Sequence, residues 1–138
     1  MTNVAAAGLS IGQVAERTGL SVDALRFYER EGLMTNPVGR DTAGRRVYSE
    51  GDLEWLTICT RLRASGMPLT AIKQYTELVR AGSGNEPARL ALLREHQDRV
   101  AARIKELTEC FELISYKVEV YAEHLAGGDA EGLWNPGR

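Results

Sequence analysis

The sequence has few of the residues on which catalysis, metal binding and disulfide formation depend. It contains two cysteines and two histidines in 138 residues, and Cys59 and Cys110 are too far apart to form a Cys-x-x-Cys motif. It also lacks a glycine-rich phosphate loop, zinc-ligand spacing and a nucleophile with a matching base. We therefore expect no metal, no cofactor and no enzymatic activity, and we expect His96 and His124 to be ordinary surface residues.

Net positive charge is missing as well. The chain carries 17 Lys and Arg residues against 19 Asp and Glu residues, a formal net charge of −2. Residues 1–80 hold ten basic and nine acidic side chains, whereas residues 81–138 hold seven and ten. A nucleic-acid-binding protein of this composition must concentrate its cations locally, and the N-terminal part is the only candidate region.

Long hydrophobic runs and a basic N-terminal segment are also absent. Residues 1–8 are small and apolar, but they are too few for a signal peptide or a membrane span and include no Lys or Arg. We expect a cytoplasmic protein that makes no membrane contact.

Near its N-terminus the sequence contains two short helical patterns that are separated by a glycine. Ser10 and Gln13 have capping-box spacing, Gly19 ends the first helix, Ser21 caps the second and Gly32 can end it. Apolar residues recur at helical spacing in both: Ile11, Val14 and Ala15, then Val22, Leu25 and Tyr28. This order is that of a helix-turn-helix, although an ordinary pair of core helices is the alternative.

Charged and small polar side chains occupy the outside of these helices. Arg17, Arg26 and Arg30 lie on or beside them, and Ser21 and Asp23 stand at the N-terminus of the second helix. In helix-turn-helix proteins that end contacts base edges, and its free N–H groups also favour phosphate.

A small hairpin, or wing, is predicted after Leu33. Asp41 to Gly44 has turn chemistry between two short β-capable runs. The hairpin gathers three arginines against the single Asp41 and adds a tyrosine hydroxyl: Arg40, Arg45, Arg46 and Tyr48. It is the densest cationic patch in the chain and is suited to binding phosphates beside a groove.

Three further helices complete the pattern. Ser49 caps a helix that runs to about Ser65, Pro68 begins one that runs to about Ala81, and residues 82–85 form a loop. The last helix carries an apolar heptad register from Leu90 to Leu125, roughly 54 Å of helix. Its predicted dimer contacts are Leu93, Val100, Ile104, Leu107, Phe111, Ile114, Val118 and Tyr121.

The long helix requires a partner, since alone it would expose its whole apolar seam. Its flanking e positions are small after Arg94, with Ala101, Thr108, Ser115 and Ala122. Such residues supply no ion pairs of the parallel-zipper kind, so an antiparallel pair is favoured.

These motifs, in this order, resemble those of the MerR family of transcriptional regulators. The resemblance rests on IGQVAERTGLSVDALRFYEREGL, GRRVYSEGDLEWL, RLRASGMPLTAIKQY and the long helix, and it spans about Leu9 to Leu125. It implies a mainly α fold: a winged helix-turn-helix head at 9–81, a dimerisation helix at 86–125 forming an antiparallel coiled coil, and a flexible tail at 126–138. It also implies a homodimer on a palindromic promoter element, which activates by distorting double-stranded DNA for RNA polymerase when an effector binds.

The resemblance also suggests the residues that contact DNA. Arg17, Ser21, Arg26 and Tyr28 match helix-turn-helix positions, and Arg45, Arg46 and Tyr48 match the wing. Val22, Asp23 and Arg40 complete the expected set. A two-fold dimer on a two-fold operator follows from symmetry.

The sequence departs from well-known branches of the family in the residues that would sense an effector. Metal-sensing members place a cysteine near the start of the dimerisation helix and two beyond it, and this chain has none at 85–90 or after Leu125. A small-molecule pocket would have to use the aromatic residues Tyr75, Phe111, Tyr116 and Tyr121, and the alternative is that these side chains simply pack the dimer. The rival hypotheses are a thiol or aldehyde response through Cys59 or Cys110, and a coiled-coil module whose head binds protein rather than DNA.

Overall fold

The computed structural model describes residues 8–128 and Leu133, and this part of the chain is mainly helical. Its elements are α1 (Ile11–Thr18), α2 (Val22–Arg30), β1 (Gly39–Arg40), β2 (Arg46–Val47), α3 (Glu50–Ala64), α4 (Leu69–Arg80) and α5 (Glu86–Ala126). The chain divides into two compact units, residues 1–96 and 97–138. The predicted division lay at residues 82–85, and most of the predicted tail at 126–138 lies outside the described residues.

The predicted caps define the helix-turn-helix. At α1 the Ser10 side chain accepts from the Gln13 N–H, and the Gln13 side chain accepts in return from the Ser10 N–H at 2.8 Å. Gly19 ends α1 with φ of 78°, a left-handed conformation that favours glycine. The Ser21 hydroxyl accepts from the Ala24 N–H at 3.0 Å and so begins α2. The local signals therefore suffice to fix both helices.

The wing is a two-stranded antiparallel hairpin, as predicted. Gly39 is paired with Val47, and Arg40 with Arg46. A further bridge joins Leu9 to Tyr48 through two N–H to O bonds of 2.8 Å each. The hairpin is thereby attached to the segment that leads into α1.

The core of the first unit lies beneath the two helices and the wing. Its members include Val14, Leu25, Leu33, Tyr48, Leu56, Met67 and Ile72, each no more than 2% exposed. The Trp55 indole stacks on Tyr75 with ring centroids 5.7 Å apart, and its Nε1–H donates to the Leu33 carbonyl at 2.7 Å. Trp55 thus ties α3 both to α4 and to the chain that follows α2.

The loop between α4 and α5 is held by side-chain contacts within the first unit. Asn85 Nδ2 donates to the Leu78 carbonyl at 2.8 Å, and Arg89 Nε donates to Asn85 Oδ1 at 2.7 Å. His96 corrects one expectation, because it is 7% exposed rather than a surface residue. Its Nε2 lies 2.7 Å from the Ser65 hydroxyl, at the residue that ends α3.

The second unit contains the greater part of α5, and its apolar side chains are uncovered. Exposure is 59% for Ile104, 55% for Leu107, 68% for Phe111 and 58% for Ile114. The predicted register is therefore present on one continuous helix, and most of its apolar side chains from Ile104 onward are exposed. Within the described residues, no helix has the length and apolar content needed to cross a bilayer.

Candidate nucleic-acid interface

The N-terminus of α2 presents small polar groups to solvent. Ser21, Asp23 and Arg26 are exposed, and Val22 is half-buried. Arg26 Nη1 lies 3.7 Å from Asp23 Oδ1, a loose pairing one turn along the helix. Because the first N–H groups of a helix have no intrahelical acceptors, this end retains donors for a ligand. Three of the four predicted residues, Ser21, Asp23 and Arg26, are thus open to solvent near the start of α2.

Arg17, on α1, is exposed and is held by a carboxylate. Its Nη1 and Nη2 donate to the two oxygens of Glu50 at 2.9 and 3.3 Å. The two side chains are 52% and 62% exposed, so water screens the pair. In the absence of DNA, therefore, Arg17 is engaged by the first turn of α3.

The tip of the wing carries Arg45, the most exposed of its three arginines. Its side chain is 80% exposed, and its Nε donates to Asp41 Oδ2 at 3.0 Å. Asp41 Oδ1 accepts from the Ala43 and Arg45 N–H groups at 2.9 Å each. The backbone bond from Arg45 is the largest cause that lowers the pKa of the Asp41 carboxyl. Asp41 therefore fixes the turn and orients Arg45 at its tip.

At the base of the wing a second acid pairs with the arginines. The expectation that Asp41 is the single carboxylate near them was therefore wrong. Glu29, from α2, lies between the other two: Arg40 Nη2 donates to Glu29 Oε2 at 3.0 Å, and Arg46 Nε donates to Glu29 Oε1 at 2.5 Å. The Glu29 side chain is 24% exposed. The wing is thus attached to α2 by a three-residue ionic cluster, which we call the Glu29 cluster.

Tyr28 and Tyr48, which were predicted to contact DNA, are both buried. Tyr48 is 1% exposed, and its hydroxyl is buried with no hydrogen-bond partner in the part of the chain described. Tyr28 is 8% exposed. Burial is the largest cause that raises the pKa of each phenol. Both rings pack the core beneath the surface, and we leave them out of the interface.

The two cysteines occupy opposite environments. Cys59 is 1% exposed in α3, and burial raises the pKa of its thiol to about 11. Cys110 is exposed on α5. The aromatic residues of the predicted pocket are likewise divided, since Tyr75 stacks on Trp55 in the first unit whereas Phe111, Tyr116 and Tyr121 are exposed in the second. No group of three or more metal-binding side chains occurs within residues 8–128.

Sequence reasoning missed the two carboxylates that hold these arginines, Glu29 and Glu50. For Glu29 a signal was present: it follows the buried Leu25 by four residues and so shares its helix face. An acidic residue beside a core-facing stripe indicates a partly buried ion pair. For Glu50 the acidic first turn of α3 had an adequate local explanation in the helix dipole.

Comparison with known families matches this architecture along most of its length. Residues 9–78 match the family model described as MerR HTH family regulatory protein. Residues 53–110 match the model described as MerR, DNA binding.

Individual proteins agree with the family models. An HTH-type transcriptional regulator of Haemophilus influenzae is 36% identical over 121 residues, covering 88% of this chain and 89% of that protein. The HTH-type transcriptional regulator AdhR of Bacillus subtilis is 36% identical over 92 residues, covering 67% and 65%. The crystal structure of HiNmlR, a MerR family regulator lacking the sensor domain and bound to promoter DNA, is 34% identical with a TM-score of 0.81. That alignment covers 94% of this chain and 97% of the other.

Proposed function

This chain belongs to the MerR family of DNA-binding transcription regulators, and on that premise we propose that it binds a two-fold symmetric promoter element as a homodimer. The observation that carries the proposal is the exposed polar surface of the first unit: the N-terminus of α2 presents small polar groups, and Glu29, near the C-terminal end of the same helix, holds Arg40 and Arg46 of the wing. Two elements held in this way suit a major groove and its flanking phosphates.

The proposed partner for α5 is a second copy of the chain. Val118 is 62% exposed and Leu125 70%, in addition to the seam residues described above. Monomeric soluble proteins seldom expose a continuous apolar stripe of this extent. The heptad spacing of the stripe fits another α-helix, and the small e positions favour an antiparallel arrangement. A closed two-fold dimer then demands a two-fold operator.

Regulation is proposed to act through the DNA, in the cytoplasm. A rigid dimer can hold its two half-sites at a twist that the free duplex does not adopt, and deforming DNA costs several kcal/mol by elastic estimates. RNA polymerase would respond to the changed promoter geometry, without a direct contact being needed. A small-molecule effector that binds at the exposed aromatic side chains of α5, Phe111, Tyr116 and Tyr121, is proposed as the source of the switch.

A thiol-responsive regulator is the second candidate. Cys110 is the residue that favours it, since its side chain is exposed. The raised pKa and burial of Cys59 make that thiol a poor nucleophile at neutral pH. The two effector candidates differ in a simple test, because Cys110→Ser should abolish only a thiol response.

Footprinting of the full-length protein on the DNA upstream of its own coding region tests the proposal. We expect two protected half-sites related by a dyad, with enhanced cleavage between them where the duplex is deformed. The double variant Arg45→Ala and Arg46→Ala should weaken the protection. Lys105→Ala, an exposed cation on α5, should leave it unchanged.

If the head binds another protein rather than DNA, the footprinting experiment gives a different result. It would produce no footprint on any upstream fragment, and the two arginine substitutions would change nothing. Protection of a single half-site would contradict the dimer while leaving DNA binding in place.

A further inference from the structure

The Glu29 cluster is an unexpected feature of a surface that binds a polyanion, because it puts a carboxylate beside two of the proposed DNA-contacting arginines. We propose that Glu29 is a positioning residue for DNA binding, which holds Arg40 and Arg46 in the orientation that contacts phosphate. The inference rests on the proposed function, namely that the wing arginines contact DNA.

The geometry of the cluster divides the two carboxylate oxygens between the two guanidinium groups. Oε2 accepts from Arg40 Nη2 at 3.0 Å, and Oε1 accepts from Arg46 Nε at 2.5 Å. A guanidinium group has five N–H donors. One donor of each arginine is used in these bonds, so each retains donors in a fixed plane for a phosphate oxygen.

The need for the carboxylate follows from the register of the hairpin. Arg40 and Arg46 are directly opposite each other across β1 and β2. Like charges at directly opposed positions destabilise an antiparallel pair. Here each strand has two residues, so little else in the ladder offsets the repulsion. Glu29 removes it, and the cluster keeps a net charge of +1.

The burial of the cluster separates it from the other ion pairs of the surface. The side chains of Arg46 and Glu29 are 26% and 24% exposed and that of Arg40 is 44% exposed, whereas Arg45 at the wing tip is 80% exposed. Charged hydrogen bonds with restricted access to water are stronger than exposed pairs, which contribute little. Glu29 also lies on α2, so the cluster fixes the distance between the wing and the helix proposed to enter the groove.

The direction in which Glu29→Gln changes the affinity for DNA tests the proposal. If Glu29 acted only through its charge, Glu29→Gln would remove repulsion from DNA and strengthen binding. If it positions the arginines, Glu29→Gln should weaken binding about three- to tenfold for each head of the dimer, because one or two long side chains must then be ordered when DNA binds. Glu16→Gln, an exposed carboxylate on α1, is the matched control and should not weaken binding.

Glu29→Asp provides a second variant that keeps the charge. The shorter side chain cannot reach both guanidinium groups, so we expect weaker binding with the net charge unchanged. Thermal unfolding of each variant, followed by circular dichroism, establishes that the head is folded at the temperature of the DNA titration. Binding as tight as that of the wild type by both Glu29 variants would overturn the proposal.

A double-mutant cycle separates positioning from a purely structural role. In a chain with Arg40→Ala and Arg46→Ala, adding Glu29→Gln should cause no further loss of affinity, because the residues through which Glu29 acts are gone. An equal loss in both backgrounds would overturn the proposal. If the two arginine substitutions alone leave affinity unchanged, the proposed wing contact fails as well. If they weaken binding while Glu29→Gln does not, the positioning role alone fails.

Discussion

Glu50→Gln should strengthen DNA binding, the opposite of the effect expected at Glu29. Arg17 is predicted to contact DNA, yet both of its terminal nitrogens donate to Glu50 in the free chain, at 2.9 and 3.3 Å. To reach a phosphate, Arg17 must leave this carboxylate. Glutamine keeps the size of the side chain but removes the charge that competes with DNA.

The size of the effect follows from the exposure of the pair. With side chains 52% and 62% exposed, the ion pair contributes up to about 1 kcal/mol. Releasing Arg17 therefore predicts a gain of about two- to fivefold in affinity for each head. Glu50 also lies in the first turn of α3, where a negative charge stabilises the helix by roughly 0.3–1 kcal/mol. The variant should thus bind more tightly while unfolding at a slightly lower temperature.

The assay is fluorescence anisotropy of a labelled operator duplex at constant salt. Glu54→Gln, an exposed acid on the same helix, is the control for a general change in charge. In a chain that also carries Arg17→Ala, the gain from Glu50→Gln should fall to that of the control. Unchanged or weaker binding by Glu50→Gln alone would refute the reasoning.

Three further outcomes are expected from the described contacts. At pH 7.5 iodoacetamide should modify Cys110 much faster than Cys59 in the folded protein, because a thiol pKa of about 11 leaves very little thiolate, and mass spectrometry would record the difference. Trp55→Phe should lower the free energy of unfolding by about 2 kcal/mol in denaturant titrations, since the Leu33 carbonyl loses its 2.7 Å donor inside the core. Ile114→Asp should convert the dimer to monomer in sedimentation velocity, because it introduces a charge into the proposed seam; a dimer that persists would argue against that seam.

The parts of the fold that could be predicted from sequence are those set by neighbours along the chain. Ser10 with Gln13, and Ser21 with Ala24, are three residues apart, and the turn from Asp41 to Gly44 is equally local. Such contacts depend on residue type and spacing alone. For the same reason the heptad register of α5 was readable, since it is a property of one helix.

The remaining features depend on contacts between distant residues. Arg40 and Arg46 meet Glu29 across 11 and 17 positions, and Arg17 meets Glu50 across 33. No local pattern encodes which acid each arginine will face. The hairpin that carries the arginines was therefore predicted correctly, but the acids with which those arginines pair were not.

Burial was the property that sequence reasoning judged least well. His96 was assigned to the helix surface from its heptad position, but its neighbour in space is Ser65, 31 residues away. Tyr48 was assigned a phosphate contact because it matches a wing position of the family, yet it is 1% exposed, and its backbone is bridged to Leu9. In both cases a tertiary contact decides the exposure, and periodicity carries no information about it.

The most direct test of the account is the salt dependence of operator binding by the wild-type protein and by Arg45→Ala. Each phosphate contact contributes about −0.9 to the slope of log K against log salt concentration. We expect a steep slope for the wild type, and one shallower by about 2 for Arg45→Ala, since a dimer loses one contact per head. Lys105→Ala should match the wild type. A flat salt dependence, or equal slopes for wild type and Arg45→Ala, would contradict a head that binds DNA through its wing.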